Sequence, residues 1–265
     1  MLFLFSSIQG NNKKNNMSQI AMIMVKKTYV YAEKEISNAL KNDWPELPLI
    51  SKYEGVSGSS IFQLGNYKIV IAAMLTPISP KELSYPINTA LFWRNASKDI
   101  KKHKRHYVVY VSSPGGSKLK LNLICTKVVK SLATMTRAIG VFWGSSSQVI
   151  KKNTFNTYCT MIKKKSNPIP IWIKITGFRN SNGSYYVYSV GMHAFGHREL
   201  EIQSYRGSFK DVYFFMLDIA DYILRKDRVI KNGGTFGGSS KNKLKVIYKK
   251  SDINKKIDVM SIKFL

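Results

Sequence analysis

Between Asp99 and Glu199 the chain has no aspartate or glutamate, although the same stretch holds 17 lysines and arginines. Chemistry that needs one carboxylic acid and one carboxylate at the reacting bond is therefore excluded from those residues. Cysteine is almost as scarce. Cys125 and Cys159 are the only two, too few for a disulfide framework or a four-cysteine zinc site. No apolar run approaches the roughly 18 residues of a membrane-spanning helix. The apolar residues Leu2, Phe3, Leu4 and Phe5 follow no basic residue and fall short of the roughly 7 residues of a secretory core. Residues 1–16 also lack the arginines of a mitochondrial presequence. They read as a disordered tail, with Met1 or Met17 as the start, and the protein reads as soluble and cytoplasmic. There is no Gly-x-Ser-x-Gly nucleophile elbow. Gly233 and Gly238 have the separation of a phosphate-binding loop, but Ser239 stands where its lysine belongs, so the run reads as a turn.

What the chain does have is hydrophobic content and positive charge. Of its 265 residues 44% are hydrophobic and 12% aromatic, which suffices for a sizeable core. The net charge is +27 and unevenly spread: +4 over residues 1–99, +17 over 100–198 and +6 over 199–265. Such a field attracts polyanions, whether nucleic acid, anionic lipid or an acidic protein.

Hydrophobic spacing alternates between the periods of strands and helices. Strands are expected at 20–25, 61–64, 67–74, 106–112 and 139–143, with Gly65-Asn66 as a hairpin turn. More follow at 169–176, 184–192, 199–203, 244–248 and 259–264. Helical spacing marks 32–43, ended by Trp44-Pro45, then 80–93 with Pro86 as a start or kink. It recurs at 121–135, 152–165 and 212–223, the last with Ser208 as N-cap. The fold class is α+β, with mixed, largely antiparallel sheets and helices packed on them. The organisation expected is the tail at 1–16, an N-terminal α/β half at 17–147 and a C-terminal α+β half at 148–265, the two forming either separate units or one integrated domain.

Several short motifs occur in one order. They are Trp44-Pro45-Glu46-Leu47-Pro48, Pro77-Ile78-Ser79-Pro80-Lys81-Glu82-Leu83, the 93–104 stretch from Trp93 to His103-Lys104, Gly140-Val141-Phe142-Trp143-Gly144 and Pro170-Ile171-Trp172. Gly191-Met192-His193-Ala194-Phe195-Gly196 with Glu199-Leu200-Glu201, and Gly233-Gly234-Thr235-Phe236-Gly237, complete the set. Together they resemble the family of domain of unknown function 4261, over about residues 20–264. The resemblance implies fold boundaries and brings no activity with it.

The four histidines form two close pairs, His103 with His106 and His193 with His197. On an extended strand His193, Phe195, His197, Glu199 and Glu201 would share one face, making His193 and His197 the candidate metal ligands. Against that, His103 and His106 sit among cations, and the expected reading is packing or exposed histidines with no metal and no cofactor. Cys125 lies on an apolar helix stripe and reads as an inert buried thiol; Cys159 lies among lysines that would lower its pKa. Asp218 and Asp221 read as solvated helix charges.

The best binding candidates are Lys101, Lys102, Lys104 and Arg105, together with Lys163, Lys164 and Lys165. The leading function is a non-catalytic binding module for an acidic protein partner, in the manner of immunity or adaptor proteins. The alternative is non-specific nucleic-acid binding, with Tyr107, Tyr110, Tyr185, Tyr186 and Tyr188 available for base stacking. A further alternative is an enzyme whose site is assembled from distant loops.

Overall fold

A computed structural model describes residues 17–264, apart from 28, 57, 227–229 and 237–243. The expected tail at 1–16, and residues 237–241 of the glycine run, lie outside the described residues.

The fold is α+β. A seven-stranded sheet has the order β2-β3-β4-β5-β1-β6-β7, and a six-stranded sheet the order β11-β12-β13-β10-β9-β8. The first sheet comprises β1 (Met17–Val25), β2 (Ile50–Val56), β3 (Ser59–Leu64), β4 (Tyr67–Met74), β5 (Arg105–Ser113), β6 (Gly140–Trp143) and β7 (Gln148–Lys151). All its pairings are antiparallel. The second holds β8 (Lys174–Arg179), β9 (Tyr185–Val190), β10 (Glu199–Tyr205), β11 (Thr235–Phe236), β12 (Leu244–Lys250) and β13 (Asp258–Phe264). Only its β10–β13 pair is parallel.

The first sheet is covered on both faces, which is why β1 reads as an almost unbroken apolar run. Strand side chains alternate. Ala21, Ile23 and Val25 enter the main core, while Met24, with Met22 beside it, joins a smaller cluster with Ile78, Leu83, Trp93, Ala96 and Ile100. That smaller layer is built from α2 (Pro80–Asn88) and α3 (Ala96–Ile100). The main-core face carries α1 (Glu33–Asp43), α4 (Lys118–Met135) and α5 (Lys152–Lys163). In the second sheet Ile175, Val187, Leu200, Ile202, Val246, Met260 and Ile262 enter the same main core, joined by Val212, Met216, Ile219 and Ile223 of α7 (Phe209–Lys226). One hydrophobic core thus runs through both sheets. Residue 147 lies inside the β6–β7 hairpin, so the first sheet continues past the N-terminal half.

Most expected elements form, with local differences. Ser79 caps α2 by accepting from the Glu82 amide, and Pro86 lies buried inside that helix. The helix stops at Asn88, leaving 89–93 as irregular chain. Residues 169–172 were expected to be strand but form a short helix, α6 (Ile169–Trp172), in which Pro170 takes an early position without needing its missing amide. β2 and β7 have no counterpart among the expected strands.

Both cysteines are buried. Burial pushes the Cys125 thiol up, and it pushes Cys159 up to about 12 despite Lys130 nearby, so the expected lowering at Cys159 does not occur. Neither thiol should react with a disulfide reagent at about pH 8 in the native protein, and both should react after unfolding. Rapid labelling of Cys159 in the folded state would contradict this packing.

Candidate functional site

The basic turn at 101–105 rests on two histidines. His103 is buried; its Nε2 accepts from the Ile78 amide at 2.9 Å, and its Nδ1 meets the Ile100 carbonyl. The ring is therefore neutral, with the proton on Nδ1. His106 is also buried, with Nδ1 at 2.8 Å from the Thr76 carbonyl, and burial holds its pKa below the usual histidine value. His103 ties the 76–78 segment to the basic turn and His106 ties it to β5, so both are packing residues. The Lys104 amide donates to the Val25 carbonyl, tying the turn to the end of β1.

On this support Lys98, Lys101, Lys102 and Lys104 are exposed and Arg105 is half-buried. Asp99 is the one carboxylate of the segment. It accepts from Trp93 Nε1 at 3.0 Å and from Lys102 Nζ at 2.9 Å. These two bonds hold its carboxyl below the usual range, and the charge of Lys151 adds to the effect. The fold thereby brings exposed Lys151, at the end of β7, to the basic turn.

Lys163, Lys164 and Lys165 sit elsewhere. They close α5, where the helix dipole favours cations. Lys163 Nζ lies 5.6 Å from the Trp44 ring centre and Lys127 Nζ lies 5.5 Å from it. Lys127 also pairs with Glu46 at 2.6 Å. Because α3 and α5 pack on opposite faces of the first sheet, the two lysine clusters are carried by different layers. The tyrosines divide as well. Tyr107 and Tyr186 are buried, and Tyr185 turns to the other face of β9 from Tyr186 and Tyr188, against Phe209 at 5.6 Å. They form no common stacking platform.

No single extended strand runs through His193, His197 and Glu201, the condition on which their shared face depended. Met192–Phe195 is a 3-10 turn flanked by Gly191 (φ 125°) and Gly196 (φ 85°), conformations that remove these residues from one extended face. A side chain at Gly191 would also come within 2.4 Å of the Trp172 carbonyl. The turn is organised around buried Glu199. Its carboxylate accepts from Ser189 Oγ (2.6 Å), the amides of Gly191 (2.9 Å), Met192 (3.2 Å) and His193 (3.2 Å), and His193 Nδ1 (2.8 Å). Burial alone would raise the Glu199 pKa, but the bonds from His193, Ser189 and the amides outweigh it and lower it. The Glu199 hydrogen bond raises that of His193, against burial. His197 is half-buried, and its amide closes the turn onto the Met192 carbonyl. Among the described residues no three His, Cys, Asp or Glu side chains are grouped to hold a metal. The motif is a self-capped turn.

Sequence reasoning missed Lys174. This lysine is only 5% exposed, at the start of β8. Its Nζ donates to Thr89 Oγ1 (2.9 Å) and the Ser147 carbonyl (3.2 Å), and it lies 4.1 Å from the Tyr85 ring centre. Burial lowers its pKa to about 8. It lines a cleft of about 460 Å³, counting the open mouth, between the 89–93 segment, β7, α5 and α7. The sequence signal was a lone cation in the apolar run Ile171-Trp172-Ile173-Lys174-Ile175.

Residues 188–263 match the family model described as Domain of unknown function (DUF4261). This is the family the motifs pointed to. The match includes the Glu199-capped turn; the basic turn and Lys174 lie outside the matched residues. No curated protein and no solved structure matches the chain. Among the described residues no helix is long and apolar enough to cross a membrane.

The Glu199–His193 pair sets a pH dependence of stability. A raised His193 pKa gives stability that is complete below its ordinary 6.5 and fades as pH rises through the folded value. A lowered Glu199 pKa gives stability that is complete above its ordinary 4.5 and is lost as pH falls through the folded value. His193→Ala should therefore lower the melting temperature more at about pH 5.5 than at about pH 8. Glu199→Gln should cost about 2–4 kcal/mol, because several buried donors lose a charged acceptor. Thermal melts of both variants across pH check this, and an equal loss for His193→Ala at both pH values would refute the pairing.

Proposed function

We propose that this protein is a non-catalytic binding module that docks on an acidic protein partner through the basic turn. The observation that carries the reading is the turn itself: Lys98, Lys101, Lys102, Lys104 and Arg105 share it with a single carboxylate, Asp99, which pairs with Lys102 and also feels the charge of Lys151. His103 and His106 fix the backbone beneath them. A rigid, one-signed patch speeds encounter with an oppositely charged surface and disfavours basic partners. The likeness to immunity and adaptor modules is one of general character. Lys163, Lys164 and Lys165 are a secondary contact, since they lie on another layer.

Nucleic acid is the second reading, favoured by the excess of lysine over carboxylate in the 100–198 stretch. The divided tyrosines count against base stacking, which leaves contact with the phosphate backbone.

The test is fluorescence anisotropy with a labelled polyglutamate peptide and with labelled single- and double-stranded oligonucleotides, across a salt titration. The peptide should bind with an affinity that falls as salt rises. Changing Lys101, Lys102, Lys104 and Arg105 together to Ser should weaken it about 10-fold or more. The melting temperature should stay within about 2 °C, because none of the four side chains is in the core. Unchanged peptide binding would remove the turn from the account, and tighter binding of oligonucleotides than of the peptide would favour the second reading.

A further inference from the structure

We propose that the cleft beside Lys174 is a binding site for a small organic carboxylate with a flat apolar body. The anionic head would lie on the Lys174 ammonium and the body between aromatic walls. This site is separate from the basic turn and does not depend on the docking reading.

The argument begins with charge. Lys174 is a buried cation whose partners among the described residues are two neutral oxygens and one ring. Among the described residues it has no carboxylate within ion-pair distance, and none of the residues lining the cleft is acidic. The gap in the sequence explains why: β7, α5, α6 and β8 all fall within 100–198, which contains no Asp or Glu. A buried ammonium without a counter-charge is costly, and methionine would fill a similar volume at no such cost. The lowered pKa is the signature of that unmet charge. An anion bound from solution would supply the counter-charge that the described residues lack.

The walls define the rest of the ligand. Phe92, Trp93, Tyr158, Pro170, Ile175 and Tyr213 line the same space. Phe92 is 57% exposed, yet its ring meets Tyr213 edge-on at 5.2 Å. An exposed aromatic held in this way is suited to covering a planar ligand. The other lining cation, Lys151, is exposed. A single buried cation with apolar walls suits one carboxylate head better than a phosphate, which is generally held by several donors.

Fluorine NMR with para-fluorobenzoate, and with para-fluorobenzyl alcohol as its neutral counterpart, tests the proposal. The wild-type protein should bind the carboxylate saturably below about 10 mM, and Lys174→Met should weaken it about 10-fold while changing the alcohol less than about 2-fold. Ala90→Trp, which fills the cleft and leaves Lys174 in place, should remove binding of both probes. If Lys174→Met does not fold, the wild-type pH series decides. Carboxylate affinity should drop about 10-fold between about pH 7 and pH 10 while that of the alcohol stays level. Absence of saturable binding, equal carboxylate affinity in Lys174→Met, a flat pH profile, or unchanged binding in Ala90→Trp would each overturn it.

Discussion

Helix α4 has to be buried on nearly every side, and the arrangement of both sheets follows from that constraint. Its buried positions include Leu121, Cys125, Val128, Val129 and Leu132, but also Asn122, Thr126 and Ser131. A polar group in such a place is costly without a partner, and Thr126 and Ser131 both have one. Thr126 Oγ1 donates to the Asn122 carbonyl at 2.8 Å and accepts from Trp172 Nε1 at 2.9 Å. Ser131 Oγ donates to Asp43 at 2.6 Å, and Trp44 Nε1 donates to the Lys127 carbonyl at 3.1 Å. Trp44 ends α1 and Trp172 leads into β8, so two tryptophans from distant parts of the chain are clipped to consecutive residues of one helix. The hydrophobic effect supplies the drive, and these bonds fix the register in which the layers meet.

The uneven charge is resolved by borrowing. Lys102, Lys127 and Lys130 belong to the acid-free stretch, and their carboxylate partners, Asp99, Glu46 and Asp43, all come from the preceding residues. A run of like charge in sequence is thus partly neutralised in space. Of what remains, one group forms the basic turn, another closes α5, and Lys174 is buried. Composition alone describes the sum and not this partition.

Much of the fold was legible because its elements are amphipathic and well punctuated. Ser117 and Ser208 cap α4 and α7, Gly65-Asn66 turns the β3–β4 hairpin, and Trp44-Pro45 ends α1. The misses have physical causes. β2 is a largely exposed edge strand with an irregular register between Ser51 and Glu54, so it carries no clean alternation. β7 has only four residues. β-branched Ile169 and Ile171 suggested strand, but Pro170 suits a helix start. Less of the site was readable. Gly191 turns the chain just before the second histidine pair and Gly196 turns it within the pair, and spacing cannot register a change of backbone hand. The basic turn stood out in the sequence. Lys174 gains meaning only once Tyr85 and Thr89 from the end of α2 and Ser147 from the β6–β7 turn gather around it.

The central place of β1 also bears on how the molecule assembles. Its neighbours are β5 and β6, and the paired residues lie roughly 80 to 120 positions further along the chain. The entropy of closing such loops must be met before those pairings return any stability, which favours slow folding. Until β5 and β6 arrive, β1 is an apolar strand with two open edges, the form most prone to pair with another copy of itself. Refolding yield should therefore depend on protein concentration more steeply than the native surface, with its large positive charge, would suggest.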